Sequence, residues 1–116
     1  IWLRIGGPMV VDYHARVSVD RAAADLADLA RVPPHRLPGE AVPYLMPSRY
    51  CPSNRFAELV ATEFAEVEGG AKIIAMRDWI AAHLVYEAGA SNSDTTAIDT
   101  FVDRKGICRD YAHLMI

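Results

Sequence analysis

One stretch of the chain combines residue types and spacing that could do chemistry: Gly106-Ile107-Cys108-Arg109-Asp110-Tyr111-Ala112-His113-Leu114. A glycine that can stop one helix is followed two residues later by a cysteine at the expected start of another. Unpaired N–H groups and the positive end of a helix dipole stabilise a thiolate there, and the thiolate is the nucleophilic form. Arg109 adds charge of the same sign. Free cysteine is also among the most buried residue types, so a small packed thiol suits the position as well, and on these residues alone the two readings stand level.

No other residue completes a site. His113 lies five positions beyond Cys108, turned about 140° around the helix and more than a turn along it, which makes it a poor base for that thiol. His83 falls on an apolar helix beside Leu84, and His14 and His35 carry no pattern. The four histidines and two cysteines show no H-x-x-x-H, H-E-x-x-H or C-x-x-C spacing, so neither a metal nor a cofactor is expected. Phosphate-cradling glycine loops and a G-x-S-x-G elbow are missing from the sequence. Cys51 follows Ser48-Arg49-Tyr50 among prolines and reads as structural; a Cys51–Cys108 disulfide is the alternative that would silence the nucleophile.

Composition bounds the rest. The 116 residues carry 12 Lys plus Arg against 15 Asp plus Glu, a net charge of −3 without a clustered basic face, which argues against nucleic-acid binding and against a polybasic membrane anchor. No run approaches the roughly 20 apolar residues of a membrane span, and no signal-peptide pattern is present, so a cytoplasmic location is expected. With 52% apolar residues there is ample material for a core. The chain opens at Ile1 without Met and stops at Ile116 within an apolar run, which reads as part of a longer protein.

The elements that must position Cys108 follow from periodicity. Met9, Val11, Tyr13, Ala15, Val17 and Val19 alternate with Asp12, His14, Arg16 and Ser18, the pattern of a half-buried strand; with Ile1–Ile5 and the turn residues Gly6-Gly7-Pro8 it predicts a hairpin. A helix is expected over Arg21–Arg31 after Asp20. Pro33, Pro34, Pro38, Pro43, Pro47 and Pro52 then favour an extended strap, packed on a surface through Val42, Tyr44, Leu45, Met46 and Tyr50. From Ser53, Phe56, Leu59, Val60, Phe64 and Val67 predict a helix stopped by Gly69-Gly70. Residues 71–86 predict a central helix with Ile73, Met76, Ile80 and Leu84 on one face. Asp94 is expected to cap a third helix through Ala97, Ile98, Phe101 and Val102, ending near Lys105-Gly106, and a fourth begins near Cys108.

Three blocks of the chain resemble the transglutaminase-like superfamily in its bacterial branch, whose members carry the label of cysteine protease: Leu45-Met46-Pro47-Ser48-Arg49-Tyr50-Cys51, Asp78 to Tyr86, and Thr96-Ala97, Phe101 and Gly106 to Met115. The third, similar to the family's nucleophile motif, is the most specific. The resemblance implies an α+β architecture. By this resemblance residues 1–32 are expected to be part of an N-terminal β-rich domain with a hairpin, 33–52 the Pro-rich strap, and 53–116 the helical N-terminal half of a papain-like core cut before its catalytic sheet. It implies thiol acyl transfer at Cys108 on a peptide or protein substrate, with amide hydrolysis ahead of crosslinking. In the family the catalytic His and Asp follow the nucleophile in sequence, and none of His14, His35, His83, His113 or Asp110 matches them. The chain alone is therefore expected to be inactive. Helix faces left without the sheet predict self-association. The rival expectation, from a different class, is a non-catalytic interaction or assembly module in which Cys108 only packs.

Overall fold

An apolar stripe becomes structure only where a second surface is available to bury it, and in this chain that condition is met from Ser53 onward. The computed structural model describes residues 6–20 and 24–116. Four α-helices are present among them: α1 (Ala57–Glu63), α2 (Gly69–His83), α3 (Ala97–Asp103) and α4 (Cys108–Met115). Two short strands, β1 (Val85–Tyr86) and β2 (Lys105–Gly106), pair in parallel with Val85 opposite Lys105 and Tyr86 opposite Gly106. Helix α4 packs against both α2 and α3. The centre holds Phe64, Ile80, Leu84, Ala97 and Thr100, all buried. None of the described helices is long and apolar enough to cross a membrane.

The N-terminal expectations are corrected. Residues 9–19 form no strand and are exposed throughout. Alternation records which face a strand would bury, but strand pairing needs a neighbour to accept its backbone bonds; the other arm of the expected hairpin, residues 1–5, lies outside the described residues. So does the start of the helix expected at Arg21. Residues 24–31 turn instead of continuing it, with the Asp25 carboxylate accepting from the Ala27 N–H at 3.0 Å and Leu29 N–H donating to the Leu26 carbonyl at 3.1 Å. A short acidic side chain that bonds its own backbone competes with helix formation in this way.

The strap is not extended. It runs through short 3-10 segments at Pro34–Arg36 and Gly39–Leu45, the latter containing Pro43, and a third, Ser53–Phe56, leads into α1. Proline's fixed φ suits a 3-10 turn as readily as an extended chain. Val42, Tyr44, Leu45 and Met46 are exposed and form no packed face, and at its end the strap meets the helices, where the Tyr50 carbonyl accepts the Ala97 N–H at 2.9 Å.

Boundaries within the helical part shift for identifiable reasons. Helix α1 ends at Glu63, capped by Phe64, before the glycines. Gly69 and Gly70 open α2 because the 26–31 turn lies directly on them: Gly70 N–H donates to the Leu29 carbonyl at 2.8 Å, and a Cβ on either glycine would overlap Leu26 or Leu29 backbone. Gly69 also has φ 59, open to glycine without cost. In α2, Ile80 is buried while Ile73 stays exposed, so α2 is a wall of the helical cluster more than its centre. Leu84, buried, already lies past the helix end.

Candidate active site

Cys108 is the first residue of α4, held there by a short path of backbone bonds. Val85 N–H donates to the Arg104 carbonyl at 2.9 Å and Glu87 N–H to the Gly106 carbonyl at 3.0 Å, which ties the end of α3 and the entry of α4 to the strand leaving α2. Gly106 is required for room, not for an unusual turn. A Cβ at that position would stand 2.9 Å from Asp110 Cβ and 3.1 Å from both Asp110 Oδ2 and Thr100 Cγ2. The expected helix stop at Gly106 is thus corrected: α3 is closed by Arg104, in the left-handed region at φ 57. Its guanidinium lies 4.2 Å from the Phe101 ring centre and 5.2 Å from that of Trp79, contacts that offset the cost of a non-glycine residue there.

The start of α3 is fixed by Thr96 and not by Asp94. Thr96 N–H donates to Asp99 Oδ2 at 2.8 Å and the Thr96 hydroxyl accepts from Asp99 N–H at 3.4 Å, a reciprocal capping box. The Thr96 backbone N–H first, and its side chain second, hold the Asp99 carboxyl below the ordinary carboxylate range. Asp94 instead pairs with Arg49 at 2.6 Å on the surface, where it fastens the end of the strap to the loop before α3.

At α4 the chain brings together residues that sequence reasoning left separate. Asp110 is fully buried, and its Oδ2 accepts the Ile107 N–H at 2.9 Å, satisfying the helix entry. Arg109 donates to Asp110 Oδ1 through Nε at 3.1 Å and Nη2 at 2.8 Å; Nη2 also reaches the Asn92 carbonyl at 2.8 Å and Ser91 Oγ at 3.2 Å. Burial pushes the Asp110 carboxyl up, but the Ile107 N–H, the Ser91 hydroxyl and the Arg109 guanidinium outweigh it and leave the group below its ordinary range. A carboxylate on the third residue of a helix is the signal that could have announced this role. The Ser91–Asn92 loop offered no signal.

Cys108 itself is exposed and Cys51 half-buried, and both are free thiols. No side chain hydrogen bonds to Cys108 among the described residues. His113 stacks on Tyr50 with ring centres 5.5 Å apart, and His83 stacks on Trp79 at 4.2 Å with its Nδ1 2.7 Å from the Trp79 carbonyl oxygen. Neither imidazole is aimed at the thiol by a bond, in keeping with the poor spacing of His113. His14 and His35 sit on the exposed N-terminal half.

An accessible thiol opening an eight-residue helix, entered through a parallel pair of short strands, invites comparison with known proteins. The model of the transglutaminase-like superfamily matches residues 55–116, more than half of the chain. The chain belongs to the transglutaminase-like superfamily. A solved structure, the "putative cysteine protease" of Cytophaga hutchinsonii, is 43% identical and superposes with a TM-score of 0.71 over 75% of this chain. The chain spans 30% of the length of that protein. None of the curated proteins matches it. The mixed, mainly helical architecture with little strand agrees with this transglutaminase-like, papain-like membership.

Proposed function

We propose that this superfamily member carries the nucleophile of a thiol acyl-transfer enzyme, and that Cys108 is that nucleophile. One observation carries the reading: the free, exposed cysteine is the first residue of α4, inside the segment matched by the family model. The thiolate attacks an amide carbonyl of a peptide or protein, and the tetrahedral adduct collapses to a thioester as the amine departs with a proton. Water then attacks the thioester, giving a carboxylate and restoring the thiol. Hydrolysis is preferred over transfer to an amine, supported by the protease label of the Cytophaga hutchinsonii protein. The superfamily resemblance assigns the base and its orienting acid to residues that follow the nucleophile, and among the described residues neither His83, whose Nδ1 is taken by the Trp79 carbonyl, nor His113, stacked on Tyr50, hydrogen-bonds to Cys108. This chain alone is accordingly inactive. A Cys108 that merely fills a core has no support in the packing, since the residue is exposed.

Iodoacetamide labelling tests the nucleophile. Below pH 8, Cys108 in the folded chain reacts faster than Cys51 and faster than Cys108 in the urea-unfolded chain. Exposure alone cannot raise a folded thiol above an unfolded one, so a folded rate at or below the unfolded rate sinks the assignment. A second consequence concerns the shallow, mainly apolar groove between α2 and α4, lined by Arg77, Ile80, Ala81, Tyr111, Ala112 and Met115. We infer that it drives self-association of the isolated chain. A monomer by light scattering at high concentration contradicts this.

A further inference from the structure

The buried carboxylate of Asp110 lies two residues from the thiol and has opposing effects on it. By accepting the Ile107 N–H at 2.9 Å it fixes the entry of α4 and so the place of Cys108. Left unpaired, its negative charge would work against a thiolate on the same first turn. Residues two apart do not share a helix face, and here Asp110 points inward while Cys108 meets solvent, so the influence is one of charge and not of contact. Arg109 lies between these effects. Its side chain is 37% exposed above the fully buried carboxylate, with two bonds to Oδ1 and two more to the Ser91–Asn92 loop. The positive charge that sequence alone would offer to the thiolate is directed at Asp110.

We propose that Arg109 is a positioning residue for Cys108 that acts through Asp110: it neutralises that carboxylate, leaving the helix's own N-terminal field to act on the thiol. The inference rests on Cys108 being the nucleophile, and deepens that reading by naming the group that keeps its surroundings free of net negative charge.

The test is the pH profile of Cys108 alkylation by iodoacetamide in the folded 116-residue chain, alongside the urea-unfolded chain. Arg109→Gln slows alkylation near neutral pH by about two- to fivefold, the size of one charge acting across part of a helix turn near solvent. The double variant R109Q/D110N, with neither charge, returns to the wild-type rate. An R109Q profile equal to wild type, or a double variant as slow as R109Q, overturns the proposal. Should R109Q fail to fold, Asp110→Asn alone decides: it keeps an acceptor for the Ile107 N–H and leaves the guanidinium uncompensated. Alkylation of D110N is then faster than wild type, with the gain shrinking at about 0.5 M salt; an equal or slower rate overturns the proposal. A merely structural role would lower the melting temperature without moving these profiles. A wild-type Cys108 no faster folded than unfolded is a different failure, that of the nucleophile assignment itself.

Discussion

Residues 6–52 and residues 53–116 carry comparable apolar patterning but reach opposite ends. In the first region, Met9, Val11, Tyr13, Val17 and Val19 are exposed despite their alternation; in the second, Ile80, Leu84 and Phe64 are buried. The difference lies in what each segment meets. A helix satisfies its own backbone bonds and needs only one face covered, which α2, α3 and α4 do for one another. A strand needs a neighbour for its backbone as well as a surface for its side chains, and residues 9–19 have neither among the described residues. The two regions touch where small residues permit it, at Gly69-Gly70, and where polar groups clasp, at Arg49–Asp94 and Tyr50–Ala97.

This contrast can be broken by substitution. The largest effect is expected for Ile80→Ala, which opens a cavity in the helical part and lowers stability by about 2–4 kcal/mol in urea unfolding. Val17→Ala, its counterpart in the first region, changes stability by no more than about 0.5 kcal/mol. Equal losses for the two would show that residues 9–19 are buried in solution and would end the comparison.

Asp110→Asn comes next, at about 1–2 kcal/mol, because the Ile107 bond survives while the charge pair with partly exposed Arg109 is lost. Its pH dependence follows from the lowered carboxyl. A group held below its unfolded value stabilises the fold above that value, and the contribution is lost as pH falls through the folded value. The stability gap between wild type and D110N is therefore constant from about pH 8 to 5 and closes below about pH 4. A gap that widens on acidification contradicts the ion-pair geometry.

Gly70→Ala sharpens the boundary between the regions. A Cβ would collide with the Leu26 carbonyl, so the 24–30 turn lifts from α2 while the helix gains from alanine, by about 0.5–1 kcal/mol. The melting temperature moves little, and trypsin cleavage after Arg31 accelerates several-fold; unchanged cleavage would mean the turn does not rest on the glycines. The smallest effect is expected at the surface clasp: Asp94→Ala removes an ion pair whose side chains are 67% and 76% exposed, and costs about 0.5 kcal/mol or less by double-mutant cycle with Arg49.

Legibility followed the type of interaction. The stripes of α1 to α4 and the helix start at Cys108 could be read because they are local and periodic. Caps are less legible: Asp94 and Thr96 both suit a helix start, and Asp99 three residues after Thr96 is the local pattern that favours Thr96. Gly69-Gly70 and Gly106 are glycines for a reason no local rule contains, since the atoms that exclude a Cβ come from Leu26, Leu29, Asp110 and Thr100. The same is true of Arg109, whose Ser91 and Asn92 partners lie 18 and 17 residues away.

What the sequence by itself determined is the four helices that follow Ser53, the thiol at the head of the last one, and a motif that places the chain in the transglutaminase-like superfamily. These depend on spacing along a few turns, which survives any arrangement of the helices. Only the tertiary structure decided that Asp110 is buried and paired, that Arg109 serves the carboxylate and the loop, and that the 9–19 alternation buries nothing. Burial and charge pairing are properties of distance in space, and distance in space is set by packing between segments that the sequence lists far apart.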